Sequence, residues 1–496
     1  MKQSVKKKDC FVALAMTTKD KELDNKYTKY ITIGFAAICF IAFVIWFTYD
    51  PVKDFSVNQS GQDNRPARTA DSLEIINIGE KFMLYDSTFN SNLKGKWTRF
   101  RGADFDNIVK DKTPLIDNFG DAPKILWDVE LGEGHAAPVI YNGKVYILDY
   151  DEIKRADALR CFSLETGKEL WKRYYNVHVK RNHGMSRTVP SITDKYIVTI
   201  GPRCHVMCAN PEIGEFLWGI DLVKEYNTEV PFWYTGQCPI IDNDVAIIAP
   251  AGTYMMIGVD CATGEVLWRS YNPDGWKMSH SSIMPMNFAG KKMWVYAAVG
   301  GICGISAEGE NVGEILWKTT AFAPSVVAPS PLIFDDGKIF MTAGYGAGAA
   351  LFQLIKSGKA FEAELLKEYK PKDGVACEQQ TAILYQNHMF AILPKDAAAL
   401  RNQFVCCKPS EPTNILWTSG KEIRFGLGPY VIADGKFFIL NDDGTLSIAK
   451  ASTQEFVLLD QAKIIDGQDS WGPIAIADGY LLMRDSKKMV CIDMKK

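Results

Sequence analysis

The chain has 496 residues, of which 47% are apolar and 23% charged, as in an ordinary folded globular protein. Its formal net charge is −3, so no basic excess advertises nucleic-acid binding. The length suits several small domains or one large repeat array.

Residues 1–29 hold eight Lys and four acids. Ile31 to Tyr49 then runs for nineteen residues without a charge, enough for a helix to cross a hydrocarbon core of roughly 30 Å. Tyr27 and Tyr30 sit at its near end and Trp46 and Tyr49 at its far end, as interfacial aromatics do. The lysines precede it, so the positive-inside rule puts residues 1–29 in the cytoplasm and the rest outside. FTYDPVKD offers no small residues for signal cleavage. Cys39 follows Ile38, and Cys10 follows Lys-Lys-Asp, so neither has the small neighbour of a lipoprotein cysteine. The sequence thus predicts an uncleaved anchor at 30–49. A polar, flexible stalk is expected at 50–72, then a non-repeating segment at 73–123 that packs against the repeat array or caps its channel.

From residue 124 onward the chain repeats. Tight polar turns fall at Asn142-Gly143, Asp194-Lys195, Asn243-Asp244, Ala289-Gly290, Asp336-Gly337, Gln386-Asn387, Asp434-Gly435 and Asp478-Gly479, spaced 44 to 52 residues apart. Each is flanked by two apolar strands. A fixed period of this size marks a repeat array, because one unit cannot bury its own apolar faces. A second mark follows each hairpin: Trp127, Trp171, Trp218, Trp268, Trp317 and Trp417 recur near the same period, with the missing member expected near Tyr369. Four follow a Gly turn, as in TGKELW (166–171) and TGEVLW (263–268). Every unit reads as four strands, and four-stranded sheets repeated radially make a β-propeller. The last repeat supplies three strands, while the segment around Trp127 is a strand with no hairpin of its own. Joining them gives an all-β, eight-bladed propeller over 124–496 whose last blade is closed by both termini.

Phe162–Trp171 and Val259–Trp268 resemble the Ala-x-Asp-x-x-Thr-Gly-Lys-x-x-Trp repeat of the quinoprotein-like (PQQ-like repeat) β-propeller superfamily. Trp97-Thr98-Arg99-Phe100-Arg101-Gly102 is similar to its Trp-x-x-Phe-Arg-Gly lead-in. That superfamily holds dehydrogenases using pyrroloquinoline quinone (PQQ) with calcium, and also non-enzymatic scaffolds such as the outer-membrane assembly lipoprotein of the BAM complex. The resemblance implies that the six Trp dock blade against blade.

Propeller ligands lie in the central funnel, just before each innermost strand. Those positions hold His135; His183 and Arg187; Trp233, Tyr234 and Gln237; His280; Ser325; Glu378, Gln379 and Gln380; Arg424; and Trp471. Arg187 and Arg424 suit an anion, His and Glu suit proton exchange or a metal, and Trp233 and Trp471 suit a flat ring. A wet channel with a polar rim is the equal alternative. Ten Cys lie beyond the anchor, most of them alone in apolar strands, and read as small buried hydrophobes. Cys406-Cys407 is expected to be two such residues, because adjacent strand positions face opposite ways. Gly344-Tyr345-Gly346-Ala347-Gly348 reads as a strand kink or bulge. The expected function is a membrane-anchored binding or scaffolding module for a protein or small ligand, single-pass in the inner membrane with its propeller in the periplasm. The alternative is a PQQ-dependent oxidoreductase with its site in the funnel.

Overall fold

The computed structural model describes residues 6–49, 75–373 and 376–496, so the stalk expected at 50–72 lies outside the described residues. The chain divides after Ile75 into two compact units. In the first, one helix runs from Lys6 to Thr48. Its Lys26–Thr48 part is long and apolar enough to cross a membrane, and none of it is buried within the protein.

The second unit is an eight-bladed propeller. Seven blades follow in chain order at 139–176, 191–221, 240–271, 284–319, 332–369, 383–418 and 430–463. The eighth combines three C-terminal strands with Ile125–Glu130, which pairs antiparallel with Lys488–Asp493. Inner strands are short, two to five residues, and those of neighbouring blades lie close together. Outer strands carry alternating exposed and covered residues, as in Val266–Tyr271. Six of the hairpin turns have both central residues at positive φ, for example Asn142 at 49° and Gly143 at 75°. That is the turn whose twist matches paired strands.

Each outer strand breaks register with its neighbour, and in six blades a Trp sits at a break. Trp171 lies opposite Cys161, Trp218 opposite Cys208, Trp417 opposite Cys406 and Trp127 opposite Cys491. Trp268 and Trp317 lie opposite Gly258 and Gly304. The indole covers its partner so closely that a Cβ on Gly258 would come within 2.2 Å of the Trp268 ring nitrogen. The position therefore takes only a small residue, which explains four of the cysteines. In blade 5 the equivalent place holds Lys367, opposite Leu351, rather than Tyr369. The register break, not the strand's aromatic end, defines the position. In blade 7 it holds Asp460.

The same Trp reach across to the next blade. Trp127 donates its ring N–H to the Leu164 carbonyl at 2.8 Å and Trp218 to the Cys261 carbonyl at 2.9 Å. Gly167, Gly214, Gly264 and Gly313 lie on the faces of Trp127, Trp171, Trp218 and Trp268 at positive φ. A Cβ at any of them would sit within 3 Å of the indole. Turn and tryptophan are thus one device shared by two blades.

Residues 76–119 knit the ring together. Lys81–Leu84 adds a strand to the outer edge of blade 1, and Lys96–Trp97 pairs beside its inner strand. The chain then crosses the axis. Thr98 accepts from the Ile192 amide of blade 2 at 2.9 Å, and Val109 donates to Ile432 of blade 7 at 2.8 Å. Between them Arg101, only 2% exposed, donates to the carbonyls of Phe105, Thr381 and Ala382 at 2.8, 3.1 and 3.1 Å. The lead-in segment closes the axis from the side of the hairpin turns.

Cys406 packs with Phe390, Phe404 and Trp417 towards blade 7, whereas Cys407 faces Tyr369 and Met389 towards blade 5. The two thiols point to opposite faces and are both free.

Blades 1 and 2 share a buried polar cluster. Asp157 accepts from the Tyr175 hydroxyl at 2.7 Å, its other oxygen has no partner, and the His205 ring stands edge-on to Tyr175. Burial pushes the Asp157 carboxyl up to about 6. A carboxyl whose folded value exceeds its unfolded value binds more protons when folded, so its contribution falls as pH rises from about 4 through 6. Asp157→Asn keeps an acceptor for Tyr175 without the charge. It is expected to raise the melting temperature more at pH 8 than at pH 5, read by thermal melts at the two pH values. An equal shift at both would show that Asp157 ionises freely.

Candidate funnel site

The connections from each outer strand to the next inner strand emerge on the face opposite the hairpin turns. With the axis closed on the turn side, this face is a blind funnel.

Its residues fall into two groups. In the first, His135 stacks on Trp471 with ring centroids 4.9 Å apart and its Nε2 lies 3.1 Å from the His183 carbonyl. Trp471 donates its ring N–H to Asp442 at 3.0 Å, and Gln380 donates to the Trp471 and Leu427 carbonyls at 3.3 Å. In the second, Trp233 lies nearly parallel to Tyr345, 5.8 Å away and tilted by 10°, with His280 at 6.0 Å and Phe232 edge-on at 5.3 Å. Phe232 is 78% exposed and Tyr345 65%. Beneath them a cleft of about 170 Å³ opens between the loops at 229–233, 277–280 and 325–327, with Ser325 at its edge.

Arg187 lies between the groups. Its Nη2 donates to the Asn182, His183 and Gly184 carbonyls, while its buried Nε has no partner. Burial lowers its guanidinium to about 10, so it stays charged near neutrality. Burial, and then the Arg187 charge, holds His135 near 3 and His280 near 4. Both rings are therefore neutral at pH 7. Burial raises the carboxyls of Asp442 and of half-buried Glu378.

Other predicted positions stand apart. Gln237 is fully buried, accepts from the Ala249 amide at 3.3 Å and donates to the Cys238 carbonyl. It braces blade 3. Arg424 donates to the Lys421 and Arg401 carbonyls at 2.9 Å, which ties it to its own loops. Tyr234 donates to the Lys180 carbonyl. Gln379 is half-buried beside Glu378.

Tyr345 and Asp442 join these groups without standing just before an inner strand. Both come from loops between the second and third strands, Tyr345 at φ 57°. Gly344–Gly348, expected as a kink or bulge, is the turn that presents Tyr345. The signals were the glycines around Tyr345 and the Asn441-Asp442-Asp443-Gly444 turn sequence.

Among the described residues no three His, Cys, Asp or Glu are grouped to hold a metal. Asp442 Oδ1 is already taken by the Leu427 amide and the Trp471 indole. Calcium takes six to eight oxygens, so the described carboxylates alone do not make a site for it.

A family model described as outer membrane protein assembly factor BamB matches residues 120–254 and 155–359. The structure of BamB from Moraxella catarrhalis superposes with a TM-score of 0.51 at 11% identity, covering 75% of this chain and all of that one. Over residues 120–359 the chain is similar to that family, and its repeats fold as an eight-bladed β-propeller. A europium-containing methanol dehydrogenase is also similar, with a TM-score of 0.52 at 12% identity, over 80% of this chain and 89% of its own. The computationally designed protein Ika8 has a TM-score of 0.50 at 13% identity, covering 74% and 99%. A designed protein, an assembly factor and an enzyme on one scaffold show that the propeller alone does not decide the chemistry. No curated protein sequence matches the chain.

Proposed function

We propose that this PQQ-like propeller is a membrane-tethered scaffold. The N-terminal helix holds it in the inner membrane with the lysine-rich tail in the cytoplasm, and the funnel face receives a partner protein in the periplasm. The observation that carries this reading is the aromatic shelf of Phe232, Trp233 and Tyr345, with Phe232 and Tyr345 exposed, on a funnel where no three of the described His, Cys, Asp and Glu are grouped to hold a metal. Exposed aromatics around a buried core are what interface hot spots are made of. The family description as an assembly factor supports the same class of function. The lysines before an uncharged span support the orientation.

The test has two arms. The full chain in detergent, supplied with PQQ and calcium, is expected to show no alcohol- or sugar-dependent dye reduction. A photocrosslinking residue at Phe232 in native membranes is expected to yield one discrete protein adduct. Quinone-dependent turnover would establish the oxidoreductase reading instead.

A further inference from the structure

Arg187 is a half-buried cation without a counter-ion. No carboxylate among the described residues lies within ion-pair distance of it. The acid Glu133, whose field reaches it, is committed to Arg181 at 2.6 Å and to the Gly184 amide at 3.1 Å. Burying an unpaired charge is costly, yet Arg187 remains ionised, and its Nε is left without a partner. Because the two flanking imidazoles are neutral, Arg187 is the charged group between them at neutral pH.

The cleft lined by Trp233 and His280 is small. Its volume of about 170 Å³ falls well below the roughly 300–1,000 Å³ of pockets for drug-sized ligands. It suits one apolar side chain. Val230, Met278, Val299, Val326 and Val327 line it, and the Glu229–Lys277 pair, at 2.6 Å, closes its outer rim. His280 joins the two features, since it lines the cleft and feels the Arg187 charge.

We infer that the funnel face takes an extended segment of a partner protein in which an acidic side chain pairs with Arg187 while a neighbouring apolar side chain fills the cleft beside Trp233. This rests on the scaffold reading and names the chemistry of the partner. The acidic group supplies the missing counter-ion through a charge-assisted hydrogen bond. The apolar group is the anchor, and Phe232 and Tyr345 flank the backbone between them.

Selection of a random hexapeptide phage library on the full chain in detergent tests this. Enriched peptides are expected to carry Asp or Glu within a few positions of Leu, Ile, Met or Phe. Arg187→Gln is expected to weaken such a peptide by about tenfold or more while leaving its Asn or Gln analogue unchanged, and Arg187→Lys to retain most binding. Ser325→Trp, at the exposed mouth of the cleft, is expected to abolish binding with an unaltered melting curve, and keeps the test decisive if Arg187→Gln does not fold. Enrichment of neutral or basic peptides, equal binding to Arg187→Gln, or full binding to Ser325→Trp would overturn the inference. If Phe232 still crosslinks a protein in those cases, the scaffold reading stands and only the partner chemistry fails. If neither peptides nor a protein are captured, both fail.

Discussion

Deleting residues 472–496 is expected to abolish the cooperative unfolding transition of the whole propeller. The deletion removes the three C-terminal strands of blade 8 and leaves Ile125–Glu130 without its partner strand. Among the buried apolar side chains it removes are Leu481, Leu482, Met483, Met489, Val490 and Ile492, each at most 2% exposed. At about 1.5–3 kcal/mol each, they contribute roughly 10 kcal/mol or more. That is comparable to the 5–15 kcal/mol net stability of a typical domain. The same segment carries Arg484, whose guanidinium donates to the carbonyls of Ala136 and Gly132 at 3.3 and 3.2 Å and so ties blade 8 to the start of blade 1. Blades 1 and 7 would each expose an apolar face. Limited proteolysis of truncated and full-length chains side by side reads the effect. An unchanged protease-resistant core would show that the ring does not depend on this closure.

Arg101→Met is expected to cost about 3–5 kcal/mol. Met replaces most of the volume, so the loss isolates the three charge-assisted bonds and the buried carbonyls of Phe105, Thr381 and Ala382 left without them. Arg101 also occupies a left-handed backbone position at φ 64°, a strain that its hydrogen bonds hold in place. The shift in denaturation midpoint measures the cost. A second readout is specific to the plug. Burial pushes the Cys377 thiol beside Arg101 and Tyr430 up to about 12, so it should be inert in the intact protein. In Arg101→Met it should react with a small thiol reagent well below the unfolding midpoint. A shift under about 1 kcal/mol with Cys377 still protected would show that the lead-in segment is surface decoration rather than a seal.

The repeat period, the paired turns and the terminal closure could be read from the sequence because each rests on local chemistry: positive-φ turn residues, apolar strands, and a Trp beside a Gly turn. The pairing of that Trp with a small Cys or Gly on the adjacent strand was hidden, because it spans about ten residues and depends on a register break. Lys367, at the same register break in blade 5, is hidden for the same reason. The site was half legible. His135, Arg187, Trp233, His280 and Trp471 precede inner strands, and the fold brings them together. Tyr345 and Asp442 arrive from other loops, and only closure of the ring places them there. Gln237 and Arg424 occupy equivalent sequence positions but spend their hydrogen bonds on backbone, which no spacing rule distinguishes. The plug was legible as a Trp-x-x-Phe-Arg-Gly motif, but its reach to blade 6 is a long-range contact invisible in the linear chain.

The decisive measurement is a photocrosslinking scan of both propeller faces in native membranes. Crosslinkers at Phe232, Tyr345 and Trp471 on the funnel face should give the same adduct, and crosslinkers at Lys195, Asp336 and Gln386 on the turn face should give none. Adducts from the turn face alone, or equal labelling of both, would contradict a funnel that receives the partner.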